Sequence, residues 1–299
     1  MGPWQLAWRR FRRHRLALAS AALLALLTAA AILAPQLQSV LGVDPNAVDL
    51  LARLEPPSPA HPLGTDDLGR DVLARLLDGA RVSLFVGLTA ALASAVIGTF
   101  VGLIAGYYGG RFDALLMRTT DTVIALPLLP LLIVLAAVDP AKLGVPEAIA
   151  RSEYLSLYRV IAIVALVGWT TVARLVRGST LTVREREFVR AARALGSGPG
   201  RIMATHILPN VASPVIVATT LSAGNVILFE SVLSFLGLGI QPPIASWGNM
   251  LTNAQELIWE APSLAVYPGL LIFLTVIALN FLGDGLQDAL DPRSGTDGR

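Results

Sequence analysis

The chain has 299 residues, of which 54% are hydrophobic and 15% charged, with no Cys and a formal net charge of +2. A soluble globular domain carries about a quarter charged residues, so this composition points to a membrane bundle, and the lack of Cys excludes disulfides, thiol catalysis and Cys-ligated metals. The basic balance comes from Arg, with Lys142 the only lysine, and the Arg residues gather at the ends of apolar runs. That distribution orients helices in a bilayer and argues against nucleic acid as a partner.

Residues 1–15 are strongly basic, with Arg9, Arg10, Arg12, Arg13 and Arg15. The apolar run 16–34 is longer than the hydrophobic part of a signal peptide, so it is read as an uncleaved first span with its N-terminus in the cytoplasm. Segment 35–82 is polar and lies outside the cytoplasm. Its Pro-rich turn, Glu55 to Gly64, leads to a helix start with Thr65 or Asp66 as cap. Leu73, Leu76 and Leu77 form one apolar face of a stretch lying along the outer interface. His61, Asp66, Asp67 and Asp71 are better explained as cap and turn residues than as metal ligands, since one His with scattered Asp has no diagnostic geometry.

Residues 83–283 form the core of spans. The second span, 83–107, carries Gly87, Ala91, Ala95, Gly98, Gly102 and Gly106, several of them four apart. Small residues on one face allow close helix contact in lipid. No Gly-rich stretch ends in Gly-Lys-Ser/Thr, so the chain holds no nucleotide loop. The third span, 115–137, contains Pro127 and Pro130, which predict a kink. Segment 138–157 is polar and adds a small helix outside the membrane. A fourth span covers 158–176, with Arg174 and Arg177 at its cytoplasmic end.

The stretch 181–209 is a charged island between two apolar runs, with Arg184, Arg186, Glu187, Arg190 and Arg193 ahead of a break at Gly196. Ala191, Ala192 and Ala194 give the first helix a small-residue face. Gly196 stops it, because Gly takes the left-handed conformation that residues with a Cβ resist. Gly198 and Pro199 turn the chain, and a second segment from Arg201 to Leu208 leads to Pro209, which opens the fifth span. The alternatives are an ordinary basic loop and a helical hairpin on the membrane surface, which another protein can approach closely. The fifth span runs from 210 to 232, the outer segment 234–262 follows, the sixth span covers 264–281, and 284–299 is a cytoplasmic tail.

Charged and polar residues inside spans are costly and usually functional. Asp121 and Glu230 are the charged candidates for a translocation pathway, with Thr119, Thr170, Thr219, Thr220, Asn225 and Asn280 as mildly polar positions. No span carries an HExxH, a GxSxG or a close carboxylate pair, so an intramembrane hydrolase is not supported and the chain is not expected to be an enzyme. An ATP-independent secondary transporter remains an alternative, although no inverted repeat of the kind such transporters show is visible.

Arg190, Ala191 and Ala192, then Gly196, then His206, Ile207, Leu208 and Pro209 follow a spaced pattern: Glu-Ala-Ala, three residues, Gly, nine residues, Ile, any residue, Leu, Pro. This resembles the cytoplasmic loop of permease subunits of bacterial ABC importers. Arg190 replaces the usual Glu, with Glu187 one turn earlier, and His206 replaces the usual Ile. The strings from His61 to Leu84, Gly102 to Asp121 and Ser234 to Ile258 resemble the second permease of the dipeptide/oligopeptide/nickel branch. The resemblance implies an all-α polytopic protein with six transmembrane helices and a coupling-helix hairpin, the type I importer fold. It assigns Glu187, Arg190, Ala191, Ala192, Gly196, Arg201, His206 and Pro209 to coupling with the ATPases. Its implied partners are a second homologous permease, two ATP-binding subunits and an extracytoplasmic solute-binding protein, all working in or on the lipid bilayer. ATP and Mg would be bound by the partners, with no cofactor or metal on this chain. Peptide import is the leading reading and nickel or another small solute the alternative.

Six spans with this Arg distribution place His14, Arg186 and Gly285 in the cytoplasm and Ala60, Ala148 and Asn253 outside. The chain has no native thiol, so single-Cys variants report cleanly. Asn253→Cys should react with an impermeant maleimide on intact cells and Arg186→Cys should not; the reverse pattern overturns this topology.

Overall fold

The computed structural model describes residues 3–139, 142, 144–146, 149, 152–252, 254 and 256–290. Helices α1 (Pro3–Phe11), α2 (Arg15–Leu41), α3 (Val72–Tyr108), α4 (Gly110–Ala125), α5 (Leu128–Ala137), α6 (Leu155–Val183), α7 (Glu187–Ala194), α8 (Pro199–Phe235) and α9 (Ser263–Leu290) carry the architecture. No strand occurs among the described residues, only an isolated bridge between Thr65 and Asp71. Among those residues five helices are long and apolar enough to cross a membrane, six if α4 and α5 form one broken span. Most of the small helix expected in 138–157 lies outside the described residues, as do Ala148, Asn253 and the tail from 291.

Two expected boundaries change. The first span does not stop at Ala34: α2 carries Pro35 inside it and runs to Leu41, where Gly42 turns left-handed at φ 68°. Its start is capped by His14, whose Nδ1 accepts the Ala17 N–H at 3.0 Å. The outer amphipathic stretch and the second span are one helix, α3. Its cap is Asp71, not Thr65 or Asp66, with Asp71 accepting the Ala74 N–H at 2.7 Å. Asp66 instead organises the preceding turn, accepting the N–H groups of Leu68 and Arg70 at 2.9 Å each and the Arg70 Nε at 2.7 Å. At 37 residues and about 1.5 Å of rise per residue, α3 is about 55 Å long. It exceeds a hydrocarbon core of about 30 Å, so it is long enough to cross with residues to spare.

The small-residue face of α3 is where α6 lies. A Cβ on Gly98 would sit 2.5 Å from the Trp169 carbonyl oxygen, one on Gly102 2.6 Å from that of Ala173, and one on Gly106 2.6 Å from the Thr180 Cβ. The contacts advance together along both helices, so α3 and α6 are parallel. Gly87 meets Ile227, and further out Ser83 meets Glu230, so α8 runs antiparallel to α3. Gly283 of α9 packs on Leu221 and Leu279 lies over Gly224, so α9 runs antiparallel to α8, while Gly285 packs on Ala17 of α2.

Parallel α3 and α6 require the chain to return across the bundle between them, and α4 and α5 supply that return. The expected kink is a right-angle corner at Leu126–Pro127, with the two helices bent by 88°. Pro127 has no N–H to continue the ladder. With 10 residues, α5 spans only about 15 Å, so it shares the crossing with α4. Its Leu132 and Ala136 pack with Leu157, Val160 and Val164 of α6. The start of α2 and the end of α9 meet at one end of the bundle, where Phe11 and Ala17 pack with Ala289. Gly285 is buried there, so the exposed Asp284 is the better position for a thiol probe.

Gly102→Ala should destabilise the bundle by about 1–3 kcal/mol, because an enlarged residue in a packed contact forces the helices apart. Gly178→Ala, where an added Cβ meets nothing within 4 Å, should be neutral or slightly stabilising. Thermal unfolding of the purified variants in detergent checks the difference.

Candidate functional site

The hairpin between α6 and α8 is built by one turn motif. Helix α7 ends at Ala194, and Gly196 takes φ 83°. The Ser197 N–H donates to the Ala192 carbonyl and the Gly196 N–H to the Arg193 carbonyl, both at 3.0 Å. This is the paired arrangement of a Schellman stop, which satisfies carbonyls that the helix end leaves open. A Cβ at Gly196 would meet nothing within 4 Å, so backbone conformation alone selects Gly there.

The second arm is not a separate segment opened by Pro209. Residues 199–235 form one helix containing a π turn at Met203–Ile207, where the Leu208 N–H reaches the Met203 carbonyl. Pro209 cannot donate to the carbonyl four residues back, and a π turn accommodates that missing bond without breaking the helix. Asn210 Nδ2 satisfies the His206 carbonyl at 2.7 Å. The two arms meet where the Phe188 and His206 rings lie 6.4 Å apart.

One face of the hairpin is fixed to the bundle. Val189, Ala192, Ile202 and Ile207 are buried against Leu103, Val172, Val176 and Val211. Arg184 Nη1 donates to the Gly106 carbonyl at 2.7 Å, capping the end of α3, and the Arg193 guanidinium lies 5.7 Å above the Tyr107 ring. The opposite face is open: Glu187, Arg190, Ala191, Ala194, Gly196 and Arg201 are exposed, and Leu195 is 86% exposed. Of the residues expected to serve coupling, Ala192 therefore faces inward, Pro209 shapes the π turn, and His206 is half-buried between the arms. Among the described residues, ion pairs near the hairpin join Arg174 to Asp121, Arg177 to Asp113 and Arg184 to Glu185, and Arg190 is in none of these.

The polar span residues do not converge on one surface. Thr170 is buried and donates to its own helix at the Val167 carbonyl, 3.1 Å away. Glu230 is wholly buried. Thr119, Thr219, Thr220 and Asn280 each bond a carbonyl of their own helix at 2.7–2.9 Å. Thr119, Asp121, Asn225 and Asn280 are exposed. Asp121 is joined to Arg174, and Arg177 grips Asp113 through two bonds of 2.5 and 2.6 Å, so α4 is clamped to α6. A cleft of about 520 Å³ opens between α6, α8 and α9, bordered by Asn210, Ser213 and Gln287. Sequence reading missed these three, because isolated Asn, Ser and Gln near helix ends carry no periodic signal. Among the described residues, no group of three His, Cys, Asp or Glu side chains could hold a metal ion.

The chain is a bundle of apolar helices that presents a helical hairpin at one end. Residues 98–295 match the profile of the binding-protein-dependent transport system inner membrane component, and residues 2–57 match that of the N-terminal TM domain of oligopeptide transport permease C. The chain is 40% identical to the dipeptide transport system permease protein DppC of Alkalihalophilus pseudofirmus, covering 98% of this chain and 91% of that protein. It is 40% identical to the glutathione transport system permease protein GsiD of Pectobacterium atrosepticum, over 97% and 91% of the two chains. The oligopeptide transport system permease protein OppC of Bacillus subtilis is 37% identical over 97% and 90%. The chain belongs to the binding-protein-dependent inner membrane permease family, within its C-type branch of peptide and nickel ABC importers. It is a non-catalytic permease half of an ABC importer.

Ile202 is fully buried, so Ile202→Ala should cost about 2–5 kcal/mol and loosen the hairpin. Limited proteolysis of the purified chain should then cut near 195–200 faster, whereas Leu195→Ala should leave the cutting rate unchanged.

Proposed function

We propose that the chain forms half of the solute pathway of an importer for dipeptides or oligopeptides. The dipeptide, glutathione and oligopeptide permeases it resembles all carry peptide names, which supports that substrate class over nickel. A second homologous permease completes the pathway, two ATP-binding subunits supply energy with ATP and Mg, and an extracytoplasmic solute-binding protein delivers the peptide. The protein sits in the bacterial inner membrane with both termini and the hairpin in the cytoplasm, as Arg clustering at that end supports.

The observation that carries this reading is the hairpin itself. Its inner face is buried, its outer face offers small and apolar groups, and its second arm is continuous with α8. Ala191, Ala194 and Leu195 enter a groove on an ATPase subunit, and Gly196 sets the angle between the arms. Glu187, Arg190 and Arg201 supply the charged rim. Movement of the ATPases then passes into α8 and, through the packed face of Val189 and Ile202, into α6. On the solute side the exposed Thr119, Asp121, Asn225 and Asn280 suit passing contacts with a hydrated peptide. Thr170, Thr219, Thr220 and Glu230 act through the packing of the spans.

Gly196→Asp tests the coupling. The left-handed backbone costs a non-Gly residue about 1–2 kcal/mol, and the carboxylate adds charge where the ATPase must approach. Abundance in the membrane should stay normal, while peptide uptake falls to background and the ATPase subunits no longer co-purify. Ser197→Ala should be mild. Near-normal uptake by Gly196→Asp at normal abundance would refute the coupling role. Uptake of labelled dipeptides and longer peptides, with nickel in parallel, tests the substrate class.

A further inference from the structure

A buried carboxylate lies beneath the outer segment 236–252 and contributes to its hold on the bundle. Glu230, five residues before the end of α8, has no exposed surface. Its Oε1 accepts the Ser234 hydroxyl at 2.8 Å and its Oε2 the Ser83 hydroxyl, on α3, at 3.4 Å. Each serine oxygen accepts in turn from the outer segment: Ser234 from the Ile240 N–H at 3.0 Å, Ser83 from the Trp247 N–H at 3.1 Å. Because both serine hydroxyls donate to the carboxyl group, their lone pairs are left facing the segment.

The packing is as close as the hydrogen bonding. A Cβ on Gly239 would lie 2.2 Å from the Ser234 Oγ, and one on Gly248 would lie 2.6 Å from the Ser231 Cα and 3.2 Å from Glu230 Oε1. Trp247 is fully buried, and its indole N–H donates to the Leu76 carbonyl of α3 at 3.1 Å. Glu230 thus sits at the point where α3, α8 and the outer segment meet. It shares its helix, across the π turn at Met203–Ile207, with the second arm of the hairpin.

We propose that Glu230 is a positioning residue of transport: it locks segment 236–252 to the outer end of α8, so that a displacement of the hairpin also moves the extracytoplasmic surface. This rests on the coupling role of the hairpin for its transmission, but not for the lock. The hairpin contacts the ATPases at one end of α8, and Glu230 holds the delivery side at the other. Closure of the ATPases and rearrangement of the solute entrance are then the two ends of one rigid displacement.

The test uses the full transporter with its partner subunits, in membranes. Ala245, in the segment, is buried, and Ala245→Cys introduces a thiol of nearly the same size into a chain without any other. Ala173→Cys, at the α3–α6 contact, reports on the bundle itself. Glu230→Gln keeps the shape but replaces one acceptor by a donor, and Gly239→Ala pushes the segment off Ser234 without touching Glu230. Both should speed maleimide labelling at position 245 by about ten-fold, the scale of losing one buried hydrogen bond, and leave position 173 protected. Uptake should fall in both. If Glu230→Gln also exposes position 173, Gly239→Ala alone decides. Unchanged protection of position 245 in the deciding variant overturns the lock. Trapping the ATPases with ATP and vanadate should alter labelling at 245 in the parent and not in Gly196→Asp. An unaltered parent overturns the transmission. Normal uptake by Gly196→Asp with position 245 still released by Glu230→Gln would instead reject the coupling reading and leave the lock standing.

Discussion

The contact between α3 and α6 constrains everything else. Three glycines spaced four apart let the backbone of one helix lie against the backbone carbonyls of the other. In lipid, where apolar burial supplies no force between helices, such close packing is what holds them together. Because Gly98, Gly102 and Gly106 meet successively later residues of α6, the two helices must point the same way. That direction forces a return crossing between them, and the broken α4–α5 pair exists to provide it. The same contact positions the hairpin, since Arg184 leaves the end of α6 to cap the end of α3.

Much of the fold was legible because its signals are local. Long apolar runs mark spans, and Gly196 stops a helix whatever surrounds it. The glycine face of α3 also reads directly, because close packing needs small residues at helical spacing. Boundaries were less legible. Pro35 and Pro209 look like ends of helices, yet both lie inside them, because a membrane helix tolerates a missing donor when a local adjustment or a side chain takes up the freed carbonyl. The cap of α3 was misplaced by a few residues for a related reason. Thr65, Asp66 and Asp71 all have capping chemistry, and only the turn that Asp66 organises leaves Asp71 at the helix start.

The site divided along the same line. The hairpin was readable because a spaced pattern fixes it. The pathway residues were chosen by polarity alone, and polarity cannot distinguish a group lining a passage from one enclosed in packing. Glu230 illustrates this. In sequence it is a charge near the end of a span; in the fold it is bonded to serines that are 147 positions away and 4 positions away. No periodicity joins Ser83 to Glu230, and only the antiparallel register of α3 and α8 does so.

The meeting of α2 with α9 bears on how the molecule is made. Ala17 of α2 packs on Gly285 of α9, near the other end of the chain. During synthesis α2 enters the bilayer long before α9 has left the ribosome, so its lower half must wait in lipid without that neighbour. Its composition permits the wait, since most of its surface is apolar and only a narrow stripe of Ala17, Ser20, Ala31, Ala34 and Gln38 is buried in the finished bundle. A helix made late thus closes against one inserted early, and this contact cannot form until α9 has been translated.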